Sequence, residues 1–225
     1  MKLSIIIPAY NEEKTIREVI KRVKVQKINM DKEIIVVDDG SIDETYGILS
    51  KISGIKLLRH EANKGKGRAI RTGLDVAGGD FVLIQDADLE LNPADYPELI
   101  RPVMENNARV VYGSRNLGKN RGKSMLYYNG GRFITFLANI LYGINISDEP
   151  IGYKLFKTNL LKDLKLECER FEFCPEVTAK IAKRKIKIHE VPVRYNPRSL
   201  KEGKKLRVSD GLQAAWVLIK YRFKD

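Results

Sequence analysis

Cysteine is nearly absent from this chain of 225 residues: Cys168 and Cys174 are the only two, and no cluster of His or Cys accompanies them. That excludes a disulfide framework and a zinc finger, and it fits a reducing, cytoplasmic setting. Long hydrophobic runs are missing too. The longest, 133–146, is interrupted by Asn139 and Asn145 and falls short of the ~20 apolar residues that a bilayer span requires. The apolar stretch from Leu3 to Pro8 is too short for a secretory leader. Repeats, low-complexity tracts and linkers are also lacking, which predicts one domain over 1–225. Its charge divides it into a first half, 1–114, and a second half, 115–225.

Acidic charge is scarce in that second half. The net charge of +12 divides into 17 Lys+Arg against 18 Asp+Glu over 1–114 and 24 against 11 over the remainder. A basic half fits an anionic partner, whether membrane surface, phosphorylated substrate or nucleic acid. Nucleic acid is the poorest of the three, because the basic half has no aromatic platform, helix-turn-helix or zinc signature.

What the chain does have is alternation. Apolar runs at Leu3–Pro8, Glu33–Val37, Ile55–Leu58, Asp80–Gln85 and Arg109–Tyr112 read as strands. Helical spacing separates them: Ile16, Val19, Ile20 and Val23, then about 43–53, 66–76 and 97–105. Such alternation predicts an α/β fold with a mostly parallel, Rossmann-like sheet flanked by helices, and ligands beyond the carboxyl ends of its strands. A last helix over 208–223 places Leu212, Ala215, Trp216, Ile219 and Phe223 on one face.

The acidic clusters fall at those strand ends. Asp86-Ala87-Asp88 follows the apolar Phe81-Val82-Leu83-Ile84, and carboxylates two residues apart at a strand end can share one hard cation with diphosphate oxygens. Glu90 is a candidate third ligand, directly or through water. Asp38-Asp39-Gly40-Ser41 reads either as a solvated turn or as a carboxylate accepting from a base or ribose. Asn63-Lys64-Gly65-Lys66-Gly67-Arg68 lacks the Walker spacing and reads alone as a basic turn.

In order and spacing, these segments resemble family 2 glycosyltransferases, together with Ser4-Ile5-Ile6-Ile7-Pro8-Ala9-Tyr10-Asn11-Glu12-Glu13. The later segments resemble the dolichol-phosphate mannose synthase branch: Tyr112-Gly113-Ser114-Arg115, Asp148 to Lys154, Phe171 to Lys180, and Glu190-Val191-Pro192-Val193 followed by Tyr195, Arg198, Gly203, Lys204 and Lys205. The resemblance implies a GT-A fold and an inverting transfer of a hexose from GDP-mannose or a UDP-sugar to a polyprenyl or dolichyl phosphate. A saccharide hydroxyl is the alternative acceptor. On the same resemblance residues 1–114 would hold nucleotide-sugar and metal, and 115–225 the acceptor. It implies that Pro8, Tyr10, Glu12 and Asp39 hold the nucleoside, with Lys66 and Ala87 also lining the substrate. Asp86 and Asp88 would bind Mg2+ or Mn2+, Arg115 and Arg132 would clamp the acceptor phosphate, and Arg198 and Lys204 would hold the donor diphosphate. Asp148 would serve as base if the acceptor were a hydroxyl. The sequence departs from the branch at Cys174, where an acidic or polar residue is expected, and at Pro150-Ile151 before Gly152. The 133–146 segment and the last helix either dock peripherally on an anionic membrane or pack on the core.

Overall fold

The computed structural model describes residues 1–118, 125–198, 205 and 208–224; the side chains of 125–127 and 208 are excepted. Strand β1 (Lys2–Ala9) sits near the middle of a seven-stranded sheet with β2 (Asp31–Asp38) on one side and β4 (Phe81–Ile84) on the other. Leu3, Ile5, Ile6 and Ile7 are wholly buried, as expected of a parallel strand covered by helices on both faces. The register aligns Ala9 with Asp38 and Ile6 with Ile84. The acidic segments that follow β2 and β4 therefore leave the sheet at one edge, on either side of the Tyr10-Asn11-Glu12 turn.

The full order is β3-β2-β1-β4-β6-β5-β7, with β3 (Lys56–Arg59), β5 (Val110–Ser114), β6 (Lys154–Lys157) and β7 (His189–Pro192). Strands β1 to β4 pair in parallel, as do β5 and β7; β6 runs antiparallel between β4 and β5. The sheet is thus mostly parallel, as expected, with one reversal that strand–helix alternation could not show. One buried apolar cluster runs from Leu3 to Val193 and draws on both halves of the chain.

The helices follow the hydrophobic periods. Helix α1 (Ile16–Val25) buries Ile16, Val19, Ile20 and Val23. Helix α2 (Thr45–Leu49) is shorter than the 43–53 expected. Helix α3 (Lys66–Asp75) lies so close to β1 that a Cβ on Gly73 would stand 2.7 Å from Ile6 Cγ2. Helix α4 (Tyr96–Asn106) ends at Asn107 in the left-handed region. Helices α5 (Met125–Tyr142), α6 (Thr158–Asp163), α7 (Phe173–Lys183) and α8 (Val208–Phe223) complete the fold.

Helices α5 and α8 pack on each other through Ile134, Ala138 and Leu218, and Tyr142 Oη donates to Leu218 O at 2.7 Å. Each turns a second apolar face outward. Phe133, Phe136 and Ile140 are exposed on α5, and Leu212, Trp216 (62 % exposed), Ile219 and Phe223 (81 %) on α8. Among the described residues, no helix is long and apolar enough to cross a membrane.

Candidate active site

The site is assembled where β1, β2 and β4 end. Asn11 N donates to Ser41 Oγ at 2.9 Å, and Ile42 N donates to Asn11 Oδ1 at 3.0 Å. The turn after β1 is thereby lashed to Asp-Asp-Gly-Ser. Gly40 (φ +70°) is needed here: a Cβ would lie 2.4 Å from the carbonyl carbon of Ala62. Pro8 is paired with Val37 inside the sheet, and Tyr10 stands half-buried above it.

Asp39 is buried and fully engaged. Its Oδ1 faces His60 Nδ1 at 2.7 Å and accepts from Lys64 N at 2.9 Å; its Oδ2 accepts from Asn63 Nδ2 at 3.0 Å and Gly65 N at 2.8 Å. A carboxylate has about four lone-pair sites, so Asp39 acts in this structure as the clasp of the Asn-Lys-Gly loop. The first amides of α3 are also taken: Gly67 N donates to Arg170 O at 3.2 Å and Arg68 N to Glu169 O at 2.9 Å. The Gly-Lys-Gly turn is therefore no phosphate cradle in this arrangement. It places Lys66 beside Asp86.

Lys66 Nζ lies 2.5 Å from Asp86 Oδ1. Burial works against the ammonium, but Asp86 outweighs it and holds the Lys66 pKa above the usual lysine range. Asp88 Oδ1 accepts from Glu90 N at 3.0 Å, while Oδ2 lies 3.3 Å from Arg198 Nη2. Burial, and then the charges of Asp86 and Glu90, push the Asp88 carboxyl up to about 7, against the pull of Arg198. Glu90 faces the chain after β7 instead: it accepts from Arg198 N at 2.7 Å and Tyr195 Oη at 3.0 Å. Among the described residues, no three His, Cys, Asp or Glu side chains form a group that could hold a metal ion. Asp86 and Asp88 nonetheless suit a hard divalent cation. They are oxygen donors two residues apart in a carboxylate-rich cluster, and each faces a positive group, Lys66 or Arg198.

Glu12, also buried, receives Arg198 through Nη1 on Oε2 and Nη2 on Oε1, both at 3.0 Å, and Lys205 Nζ at 2.7 Å. Thr15 Oγ1 lies 2.6 Å from Glu12 Oε2 and 2.8 Å from Ala87 O, joining α1 to the Asp-Ala-Asp turn. The structure therefore brings Glu12, Asp86, Ala87, Asp88, Glu90, Lys66 and Arg198 together in one carboxylate-rich cluster. Lys204 lies outside the described residues. Its neighbour Lys205 reaches Glu12 and also donates to Tyr10 O.

The acceptor candidates sit beside the end of β5. Asp148, 3 % exposed at its side chain, accepts from Arg115 N and Nε at 2.8 Å on Oδ2 and from Nη2 at 2.6 Å on Oδ1. The Arg115 guanidinium also lies 5.0 Å from the Tyr195 ring centroid. Arg132 is exposed on α5, 5.8 Å from the Tyr128 ring centroid, and its neighbour Gly131 borders Arg115, whose Nη2 would stand 3.8 Å from a Cβ there. Cys174 is a buried packing residue. Its Sγ lies 3.8 Å from Ile151 O, and burial pushes the thiol pKa up. Both cysteines are free thiols.

Sequence reading missed Thr15, His60 and Gln85. Gln85 had a readable signal, a wholly buried amide at the end of an apolar strand and directly before Asp86. His60 and Thr15 had none, because their partners are set by loop approach.

Solved structures show the fold. The fold matches that of glucosyl-3-phosphoglycerate synthase of Mycobacterium tuberculosis in complex with phosphoglyceric acid, with a TM-score of 0.76 at 22% identity over 98% of this chain and 79% of that one. The same enzyme with Mn2+, UDP and phosphoglyceric acid matches at a TM-score of 0.73 and 22% identity, over 100% of this chain and 79% of that one. The fold is that of the GT-A glycosyltransferases.

Residues 4–165 match glycosyl transferase family 2, and the chain belongs to that family. It is 34% identical over 224 residues to the UDP-N-acetylglucosamine–dolichyl-phosphate N-acetylglucosaminyltransferase of Methanococcus voltae, covering 88% of each chain. It is 32% identical to a dolichyl-phosphate β-glucosyltransferase of Trichomonas vaginalis, over 97% of this chain and 72% of that one. With the dolichol-phosphate mannosyltransferase of Pyrococcus furiosus it shares 28% identity, over 91% of this chain and 59% of the relative. The chain is thus a family 2 glycosyltransferase near the dolichol-phosphate branch.

Proposed function

We propose that this chain, acting as one domain, transfers a hexose with inversion from GDP-mannose or a UDP-sugar to a polyprenyl or dolichyl phosphate, at the cytoplasmic face of an anionic membrane. The observation that carries the acceptor assignment is the Arg115–Asp148 pair. A general base needs a lone pair within reach of the proton it takes. Three of the roughly four lone-pair sites of Asp148 accept from Arg115, which favours a carboxylate that aims a guanidinium. An aimed guanidinium suits a phosphate monoester, which its fork grips through two donors. Such a monoester has a second pKa of about 6 and is already a nucleophile at neutral pH. Relatives named for dolichyl phosphate support the same acceptor.

On this reading Arg115 and Arg132 bind the acceptor phosphate, and Pro8, Tyr10 and Glu12 border the nucleoside in the loop that Asp39 shapes. Asp86 and Asp88 would hold Mg2+ or Mn2+, which when bound neutralises charge on the departing diphosphate. Among the described residues, Lys66 and Arg198 pair with those carboxylates and would add positive potential where the leaving group gathers charge. The outward apolar faces of α5 and α8, with exposed Lys220, Arg222 and Lys224 beside them, fit peripheral docking on anionic lipid. Cations near such a surface contribute about 1 kcal/mol each.

The test is transfer from labelled GDP-mannose, UDP-glucose and UDP-N-acetylglucosamine to a polyprenyl phosphate, with Mn2+ and with EDTA. Labelled product that extracts into organic solvent, and that is lost in EDTA, is expected. Transfer to a free saccharide with none to the lipid phosphate would overturn the acceptor assignment.

A further inference from the structure

Behind the Asp-Ala-Asp turn lies a polar network sealed from solvent. Gln85 is wholly buried and continues the ladder of β4 by donating its N–H to Ile6 O at 2.9 Å. Its side-chain Nε2 donates to Asp86 O at 2.9 Å. Its Oε1 accepts from Tyr96 Oη at 2.8 Å and from Tyr153 Oη at 2.7 Å. An amide oxygen has two lone pairs, and both are used. The amide has therefore one orientation, with oxygen towards the phenols and nitrogen towards the Asp86 backbone. The two tyrosines come from separate elements, α4 and the segment before β6, and their rings meet edge-on with centroids 6.1 Å apart.

Gly152 adds a second restraint on the same residue. A Cβ built there would lie 2.0 Å from Asp86 Oδ2 and 3.0 Å from Asp86 Cγ. A carboxylate cannot approach a methyl group that closely, so only glycine leaves room for Asp86 in the rotamer that meets Lys66.

We propose that Gln85, Tyr96, Tyr153 and Gly152 form a cradle that positions Asp86. The Gly-Tyr of the second-half segment would then serve the donor and metal end of the site, not acceptor choice. Gln85 and the phenols set the backbone direction of Asp86, and Gly152 sets the place of its carboxylate. This rests on the reading of Asp86 as a divalent-cation ligand. The partners that orient a metal ligand typically govern about ten- to a hundred-fold in metal affinity.

The experiment is Mn2+ binding by titration calorimetry to the full chain, with and without UDP or GDP, alongside thermal unfolding. Asp86→Asn is the control. Gly152→Ala is expected to weaken Mn2+ binding by about ten- to a hundred-fold. Tyr153→Phe, which removes one hydroxyl without disturbing volume, is expected to weaken it by roughly three- to ten-fold. Tyr153→Phe keeps the inference falsifiable should Gly152→Ala fail to fold. If Asp86→Asn loses Mn2+ while Tyr153→Phe and Gly152→Ala bind it as the parent does, the cradle is overturned and the metal reading stands. If Asp86→Asn itself binds Mn2+ as the parent does, the metal reading fails and the cradle with it. A lowered unfolding midpoint in Tyr153→Phe with unchanged Mn2+ affinity would mark the phenol as packing only and also overturn the inference.

Discussion

Replacing Asp148 by Asn separates a carboxylate that aims Arg115 from one that takes a proton. In the native chain Asp148 accepts three hydrogen bonds from Arg115, at 2.8, 2.8 and 2.6 Å. Two of these come from the guanidinium and are charge-assisted, worth about 1.5–3 kcal/mol each. Asn keeps one acceptor oxygen and turns an amide N–H₂ towards a donor. One guanidinium bond is lost and the other becomes weaker. The Arg115 side chain is 26 % exposed, so water screens part of the loss, and the fold should lose about 1–3 kcal/mol. Arg115 keeps its charge but is less well aimed, so kcat/KM for a polyprenyl phosphate should fall about ten-fold, the equivalent of roughly 1.4 kcal/mol. Loss of a general base would instead remove 10²–10⁴-fold. The assay is kcat/KM against pH for both proteins with the lipid phosphate acceptor, and unfolding by urea as the stability check. A fall beyond about a thousand-fold, with an acid-side ionisation missing from the mutant profile, would refute the reasoning and favour a hydroxyl acceptor.

Three further outcomes are expected. Arg132→Ala should raise the acceptor KM or lower turnover by about ten- to a hundred-fold with nucleotide affinity unchanged; weakened nucleotide binding with normal acceptor dependence would reassign Arg132 to the donor. Trp216 is the only tryptophan, so its fluorescence should shift to the blue on vesicles containing anionic lipid, and Trp216→Ala combined with Phe136→Ala should abolish co-flotation; an unshifted spectrum would remove α5 and α8 from the membrane. Glu176 accepts from Glu167 N at 2.7 Å, Cys168 N at 2.8 Å and Lys180 Nζ at 2.7 Å. Burial raises its pKa, but these donors outweigh burial and leave it below the usual glutamate value. A depressed carboxyl stabilises the fold above its unfolded pKa, and that contribution disappears as pH falls through the folded one. Glu176→Gln should therefore destabilise by about 1–3 kcal/mol at pH 7 and by progressively less in acid, read from urea midpoints against pH; a pH-independent loss would contradict this.

Much of this enzyme was settled by the sequence. An apolar strand such as Phe81-Val82-Leu83-Ile84 must be buried, and the carboxylates after it must emerge at the sheet edge, so the place of Asp86 and Asp88 in the fold was legible from pattern alone. The period of Ile16, Val19, Ile20 and Val23 likewise named the buried face of α1. Periodicity shows which residues share a face but not what covers it. Leu212, Trp216, Ile219 and Phe223 share a face of α8, and only tertiary structure shows that Val217, Leu218 and Tyr221 pack inward while that face stays open. Strands β6 and β7 were not read from the sequence, and the reversal at β6 was hidden for a related reason, since pairing is a long-range choice that local sequence does not encode. Charge roles were hidden for another. Asp39 read as a nucleoside ligand, Asp148 as a base for a hydroxyl acceptor and Glu90 as a third metal ligand, and only the fold shows that each carboxylate also accepts from groups 26, 33 or 108 residues away, at Gly65, Arg115 and Arg198. A carboxylate's function depends on which donors reach it first, and folding alone decides that.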